Sequence, residues 1–208
     1  MGLYADRIFP ALLDLATRGV YRDREALMAR ARGRILEIGL GSGINLPLYT
    51  AQAHEVIGLE PSRAMLERAR RLLADQPAKP DVSLVQGSAE ELPFADNSFD
   101  TVVAFLVFCT IPDARRAALE MHRVLRAGGE VLFFEHIRAP DAGVQRWQDR
   151  LDPLWTKMAC GCHINRETPQ LFRDAGLNYR EYETWYHPKM GARISSRVMR
   201  GVAQKSPA

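Results

Sequence analysis

The chain has 208 residues, 47% hydrophobic and 25% charged, the composition of an ordinary globular chain with room for one sizeable core. Fifteen glycines and twelve prolines exclude a collagen-like or low-complexity architecture, and three cysteines cannot form a complete disulfide framework. Twenty-eight Lys+Arg against 25 Asp+Glu leaves +3, too mild a surplus for a nucleic-acid binder.

The longest apolar run, Val102–Cys109, is eight residues, whereas a membrane-spanning helix needs roughly 20. The N-terminus carries Asp6 and Asp14 and no apolar signal-peptide core, so a cytoplasmic location is expected. The charge is unevenly spread. From His187 to Ala208 there are five cations (Lys189, Arg193, Arg197, Arg200 and Lys205) and no acid, which leaves 23 bases to 25 acids elsewhere.

In chain order, residues 4–32 place Ile8, Leu12, Leu15, Tyr21, Leu27 and Met28 at helical spacing, broken near Gly19, and predict a helical cap over 1–33. Arg34–Gly39 is a short apolar run ending in glycine, which reads as a buried strand, and a helix is predicted from about Asn45. Glu55–Glu60 is a second strand. Ser62 suits the N-cap of a helix reaching Ala74, closed by Pro77 and Pro80 before a third strand at Val82–Gln86. Thr101–Val107 is the most apolar strand and so is expected at the sheet centre. Pro112 and Asp113 cap a helix over Ala114–Leu125, stopped by Gly128 and Gly129, and Glu130–Ile137 forms a further strand. This alternation predicts parallel βαβ units in a doubly wound α/β sheet. Beyond Pro140 the rhythm changes to a Trp-containing helix, a short helix after Thr168, and extended segments around Tyr179–Tyr186 and Ile194–Ala203, expected to be antiparallel. One domain is expected over 1–208, with 34–139 as cofactor core and 140–208 as acceptor-side insertion and terminal strands.

Ligands in such sheets sit at the carboxyl ends of the strands. The first strand ends in Glu37-Ile38-Gly39-Leu40-Gly41-Ser42-Gly43, whose alternate glycines allow positive φ and close approach of backbone to ligand. The spacing is GxGxG rather than the dinucleotide GxGxxG, and no Lys follows as a P-loop requires. Glu60 stands at the end of the second strand, where a carboxylate can accept both ribose hydroxyls of a nucleoside. Taken singly, the glycines serve equally well to turn the chain, and Glu60 to favour a helix N-terminus. An NAD(P) oxidoreductase is the competing enzyme class.

Together these residues resemble the class I S-adenosylmethionine-dependent methyltransferases with a type 11 methyltransferase domain. Glu37–Gly43 resembles the family's first motif, Glu60-Pro61-Ser62 its ribose-binding acid, and Gly87–Phe94 its adenine-flanking loop, with Ser88 where Asp is common. Asn97–Asp100 and Leu125–Gly129 complete the order. The resemblance implies a Rossmann-like, mainly parallel seven-stranded sheet with helices on both faces. It implies S-adenosylmethionine as donor and S-adenosylhomocysteine as product. The implied cofactor residues are Glu37, Gly39, Leu40, Gly41, Gly43, Asn45, Glu60, Pro61, Ser62, Ser88, Ala89, Glu90, Phe105 and Leu106.

Further residues resemble the alkyl-thiol S-methyltransferase branch, which also has bacterial relatives labelled phospholipid methyltransferases: Phe105–Cys109, Phe133–His136, Trp147, Pro153–Trp155 and Gly161–Thr168. The resemblance implies a small-molecule acceptor, an alkyl or aryl thiol, with amine head groups such as phosphatidylethanolamine as the alternative. A non-catalytic S-adenosylmethionine-binding protein is the alternative class. His136, just past strand five, is expected to orient or deprotonate the acceptor together with Glu135, or else to sit in a structural network with it. Phe108, Cys109, Trp147 and Cys162 are expected to line the acceptor pocket, with Trp155 core-like. Cys160-Gly161-Cys162-His163 invites a zinc reading, but its spacing is unlike a metal knuckle and other ligands would have to come from Cys109 or His136. No metal is therefore expected, and Cys162 is read as a small hydrophobe. No nucleic-acid partner is expected, since an Asn/Asp-Pro-Pro-Tyr segment is missing after strand four. Arg193, Arg197 and Arg200 make either a solvated basic face or a weak contact with an anionic membrane surface.

Overall fold

A computed structural model describes residues 17–76 and 80–206. After a 3-10 turn at Thr17–Val20 come α1 (Tyr21–Met28), β1 (Gly33–Ile38), β2 (Ala53–Glu60), α2 (Arg63–Asp75), β3 (Asp81–Gln86), β4 (Phe99–Phe105) and α3 (Ala114–Val124). They are followed by β5 (Leu125–His136), α4 (Ala142–Met158), α5 (Thr168–Asp174), β6 (Leu177–Tyr186) and β7 (Arg197–Lys205). The strands form one sheet in the order β3-β2-β1-β4-β5-β7-β6. β1 pairs in parallel with β2 and β4, as do β2 with β3 and β4 with β5, whereas β7 runs antiparallel to both β5 and β6.

Successive side chains on a strand point to opposite faces, and both faces here are apolar. Leu36, Ile57, Val102, Val131, Phe133 and Met199 pack toward Ala117, Met121 and Val124 of α3 and Phe172 of α5. Their neighbours Ile35, Val56, Val103, Leu132, Phe134 and Val198 pack toward Leu27 and Met28 of α1 and Leu66 and Ala69 of α2. This double burial explains why β1, β4 and β5 read as continuous apolar runs rather than alternating ones. Two helix starts follow the sequence: Ser62 Oγ accepts the Met65 N–H and Asp113 Oδ1 accepts the Arg116 N–H.

Three features differ from the sequence reading. In place of a helix from Asn45, the chain makes only a 3-10 turn, Leu46–Leu48, because the Asn45 side chain is drawn into a buried polar network. β5 begins at Leu125, which pairs with Phe99 before a register shift, so Gly128 and Gly129 lie inside the strand's span. The basic C-terminal segment is substantially paired. Arg200 meets Asp23 at 2.8 Å and also Glu183, Arg193 meets Asp141 at 3.5 Å, and Lys205 donates to the Leu125 carbonyl at 2.8 Å. The predicted helix over 4–16 lies outside the described residues. No helix among the described residues is long and apolar enough to cross a membrane.

Gly201 marks the tightest strand contact. A Cβ there would stand 2.0 Å from the Glu181 carbonyl oxygen, at the register shift between β6 and β7. Gly201→Ala is expected to lower stability by about 1–3 kcal/mol through forced backbone displacement. Gly143→Ala, where a Cβ meets nothing within 4 Å, should be neutral or stabilising by about 0.5 kcal/mol. Denaturant midpoints of the two variants check the contrast.

Candidate active site

The carboxyl ends of β1, β2, β4 and β5 share one edge of the sheet, and the strand order reverses between β1 and β4. Gly39, Gly41 and Gly43 all have positive φ, at 67°, 60° and 81°. Their reasons differ. A Cβ on Gly39 would strike Val107 Cγ2 at 2.2 Å, and one on Gly43 would press Ala69 and Leu46 at 3.0 Å. A Cβ on Gly41 would meet nothing within 4 Å, so at that point the backbone is bare toward open space. Leu40 packs inward onto Gly58.

Glu60 lies beside this bare turn. Its carboxylate accepts the Gly41 N–H on Oε2 and the Ser62 N–H on Oε1, both at 3.0 Å. Burial raises its pKa from the ordinary value, against the lowering effect of those two N–H groups. A carboxylate offers about four lone-pair sites, so two remain for a vicinal pair of hydroxyls. Bare backbone at Gly41 next to a half-used buried carboxylate fits the ribose of a nucleoside ligand. The Pro61 carbonyl accepts from Gln86 Nε2 at 3.1 Å and ties this corner to β3.

Glu37 and Asn45 support the loop from beneath. The Glu37 carboxylate, 1% exposed, accepts from Asn45 Nδ2 and from the Tyr49 hydroxyl, and Asn45 Oδ1 accepts from Arg24 of α1. Burial pushes Glu37 up to about 7 despite these donors. The Arg24 guanidinium also lies 4.3 Å from the centre of the Phe105 ring, which stacks on Phe134. Ser88 Oγ donates to Glu90, whose other oxygen accepts the Asp113 N–H at 2.8 Å, so the loop after β3 is tied to the start of α3. Ala89 is buried in the core beside Leu92.

Three chain segments converge past β4 and β5. Glu135, fully buried, accepts the Val107 N–H at 2.9 Å and the Phe108 N–H at 3.1 Å. Burial raises its pKa to about 8, and the backbone donors act against this. These bonds hold the 106–110 turn, where Leu106 adopts a φ of 54°. The Cys109 carbonyl then accepts the His163 N–H at 2.8 Å, and Arg166 donates to the Ile111 carbonyl at 2.9 Å, docking the segment after α4 onto this turn. The outcome is a cluster in which Cys109, Cys162 and His136 each bring one ligating atom to within 4.8 Å of the others. Cys162 Sγ lies 4.0 Å from His136 Nδ1. The neighbouring Cys109 thiol lowers the pKa of Cys162 against its burial, and His136 and the Trp155 indole act in the same sense. The same neighbour pairing, with burial, raises Cys109 well above the ordinary thiol range, and its Sγ faces the Leu106 carbonyl at 3.7 Å.

Not every expected pocket residue is at this edge. Phe108 is fully buried and packs edge-on against Phe172, which leaves it no surface for an acceptor. Trp147 is 56% exposed on the outer face of α4 and meets Arg150 rather than the cysteines. Trp155, eight residues on, is the tryptophan that faces Cys162. Glu135 forms no network with His136, since its oxygens go to the β4 turn. Of the Cys160-Gly161-Cys162-His163 run, only Cys162 joins the cluster: Cys160 is exposed and His163 pairs with Asp152 at 2.7 Å. Gln148 and Asp152 were not foreseen. Gln148 accepts the Ala139 N–H and donates to the Ile164 and Ile194 carbonyls, and Asp152 accepts the Ile164 N–H. Their i, i+4 spacing, continued by Trp155 at i+7 on the same inward face of the helix, is the signal that marks them.

Residues 36–133 match the family described as "Methyltransferase domain". The phosphatidylethanolamine N-methyltransferase of Cereibacter sphaeroides is 41% identical over 129 residues, 60% of this chain and 63% of that protein. The thiol S-methyltransferase TMT1B of Homo sapiens is 31% identical over 142 residues, 67% of this chain and 58% of that protein. The chain thus spans about six tenths of the length of these curated relatives. The structure of the YcgJ protein from Bacillus subtilis superposes with a TM-score of 0.71 at 20% identity, covering 91% of this chain and 99% of that one. That likeness is one of fold.

A carboxyl that titrates near 7 in the fold and near 4.5 unfolded contributes stability that is complete below about 4.5 and is lost as pH rises through about 7. Glu37→Gln removes this titration, so its thermal midpoint should fall less than that of the parent chain between about pH 5 and pH 8. Thermal melts across that range measure the difference in slope.

Proposed function

We propose that this chain, whose residues 36–133 match the methyltransferase domain family, transfers the methyl group of S-adenosylmethionine to the sulfur of a small thiol. The observation that carries the donor is the bare Gly41 turn beside Glu60, whose spare lone pairs suit two ribose hydroxyls. When bound, the donor supplies an electrophilic methyl on a sulfonium, and the chain's own part is to align and exclude water. Glu60 and the 39–43 turn bind the nucleoside end. Glu135 is a positioning residue: it fixes the turn carrying Cys109. His136, at the end of β5 and within reach of two sulfurs, is the residue assigned to the acceptor. The thiol reading is supported by the similarity to the human thiol S-methyltransferase and by the polar cluster at this edge.

Glu60→Ala should weaken S-adenosylhomocysteine binding at least about tenfold, since hydrogen bonds to a charged group are lost. Calorimetry gives the number directly. His136→Ala should lower kcat for an alkyl thiol with little change in S-adenosylhomocysteine affinity. Unchanged turnover would remove His136 from the reaction. A panel of alkyl thiols, phenols, amines and phospholipids, read by S-adenosylhomocysteine release, tests the acceptor; methylation of lipid and not of thiols would overturn it.

A second reading, methylation of an amine head group at a lipid surface, is favoured by the 41% relative and by one face of α4. Trp147, Leu154 and Met158 are 56%, 59% and 60% exposed there, flanked by exposed Arg146, Arg150 and Lys157. Large apolar side chains among cations are the pattern of a helix lying on an anionic surface. That face, rather than the paired C-terminal arginines, is where contact is proposed. Under this reading the chain sediments with phosphatidylglycerol-containing vesicles, and Trp147→Ala with Leu154→Ala abolishes it.

A further inference from the structure

We propose that Cys109, His136 and Cys162 form a three-ligand site for a zinc-like divalent cation, with the fourth position left for an external ligand. The donor set is the first argument. Two sulfurs and one imidazole nitrogen are borderline-soft ligands, the set that selects zinc over magnesium or calcium. The second argument is geometry. The three ligating atoms lie within 4.8 Å of one another, and Cys162 Sγ is 4.0 Å from His136 Nδ1. Tetrahedral zinc with ordinary bond lengths needs about 3.8 Å between sulfurs and about 3.5 Å between sulfur and nitrogen. The observed spacings exceed these by about an ångström or less.

The third argument is what the cluster leaves unsatisfied. His136 Nε2 is buried without a hydrogen-bond partner, and Nδ1 has only the long 4.0 Å approach to Cys162 Sγ, so no short hydrogen bond commits this imidazole. Buried polar atoms are rarely left so, and a ring in this condition beside two sulfurs suits a ligand that the chain itself does not provide. The site is also held in place: the Cys109 carbonyl receives the His163 N–H and Arg166 grips the Ile111 carbonyl, which bring Cys162 to Cys109 from 53 positions along the chain.

No fourth His, Cys, Asp or Glu joins the group among the described residues. Structural zinc sites are closed by four protein ligands, whereas reactive sites keep one position open. On the thiol reading above, on which this step rests, the open position takes the acceptor. An alkyl thiol binding there releases its proton to solvent. Its sulfur lone pair then forms the new S–C bond as the sulfonium C–S bond breaks, and that bonding pair stays on the departing thioether sulfur. His136 serves the acceptor as a ligand of the cation rather than as a base.

Titration of the full chain with cobalt(II) under reducing, oxygen-free conditions tests the site. One equivalent is expected to bind, with a sulfur-to-cobalt charge-transfer band and tetrahedral visible absorption, and zinc should displace it. Cys162→Ser and His136→Ala should each weaken binding by about a hundredfold or more, while retained circular dichroism and S-adenosylhomocysteine affinity show that the variants fold. Cys160→Ser, which removes the exposed thiol, should bind as the parent does. Only octahedral cobalt, or equal loss on Cys160→Ser, overturns the site. Addition of an alkyl thiol should shift the cobalt bands; an unchanged spectrum overturns the open position. Tetrahedral cobalt in a chain that methylates amines and no thiols would leave the site standing and overturn the thiol acceptor instead.

Discussion

The carboxylate of Glu135 is the contact on which the acceptor side of the molecule turns. A carboxyl group with no solvent exposure is costly to bury unless its oxygens are hydrogen-bonded. Here they accept from main-chain amides of the β4 turn. That turn is strained at Leu106, whose φ of 54° is unusual for a branched side chain. The amides at 107 and 108 need an acceptor, and the carboxylate needs donors. Each need fixes the other, and the position of Cys109 follows from both.

From that turn the constraint spreads in two directions. Toward the cofactor edge, Val107 fills the space a side chain on Gly39 would need, so the glycine loop and the β4 turn fit only as a pair. Toward the acceptor edge, the carbonyls at 109 and 111 receive the segment that carries Cys162. Gln148 and Asp152 hold that same segment from the other side, through the main chain at Ile164. The two halves of the site therefore share one short turn.

The sheet was legible because its signals are local. Runs such as Arg34–Gly39 and Thr101–Val107 announce buried parallel strands, and Ser62 and Asp113 announce helix starts by their side-chain chemistry. Glu60 could be placed for the same reason, since it closes a recognisable strand. The predicted helix at Asn45 failed because a buried tertiary bond to Glu37 outweighs local propensity there. Trp147 and Trp155 are both tryptophans on one helix, and only the packing of that helix decides which one turns inward. The cysteine–histidine cluster was least legible. Each member was visible alone, but their meeting depends on three separate loops, and no periodicity in a sequence reports that.

β7 lies between β5 and β6, so β6 has one neighbour in the sheet, and that neighbour is the strand that follows it in the chain. As the polypeptide leaves the ribosome, the strand ending at Tyr186 emerges with nothing to pair with until Arg197–Lys205 appears. α1 waits on the same event, because Asp23 is held by His187 and Arg200. Arg24, its neighbour, is the group that reaches Asn45 beneath the glycine loop. The contacts that hold α1, and through Arg24 the support beneath the glycine loop, are therefore complete only in a chain that has been made through to β7.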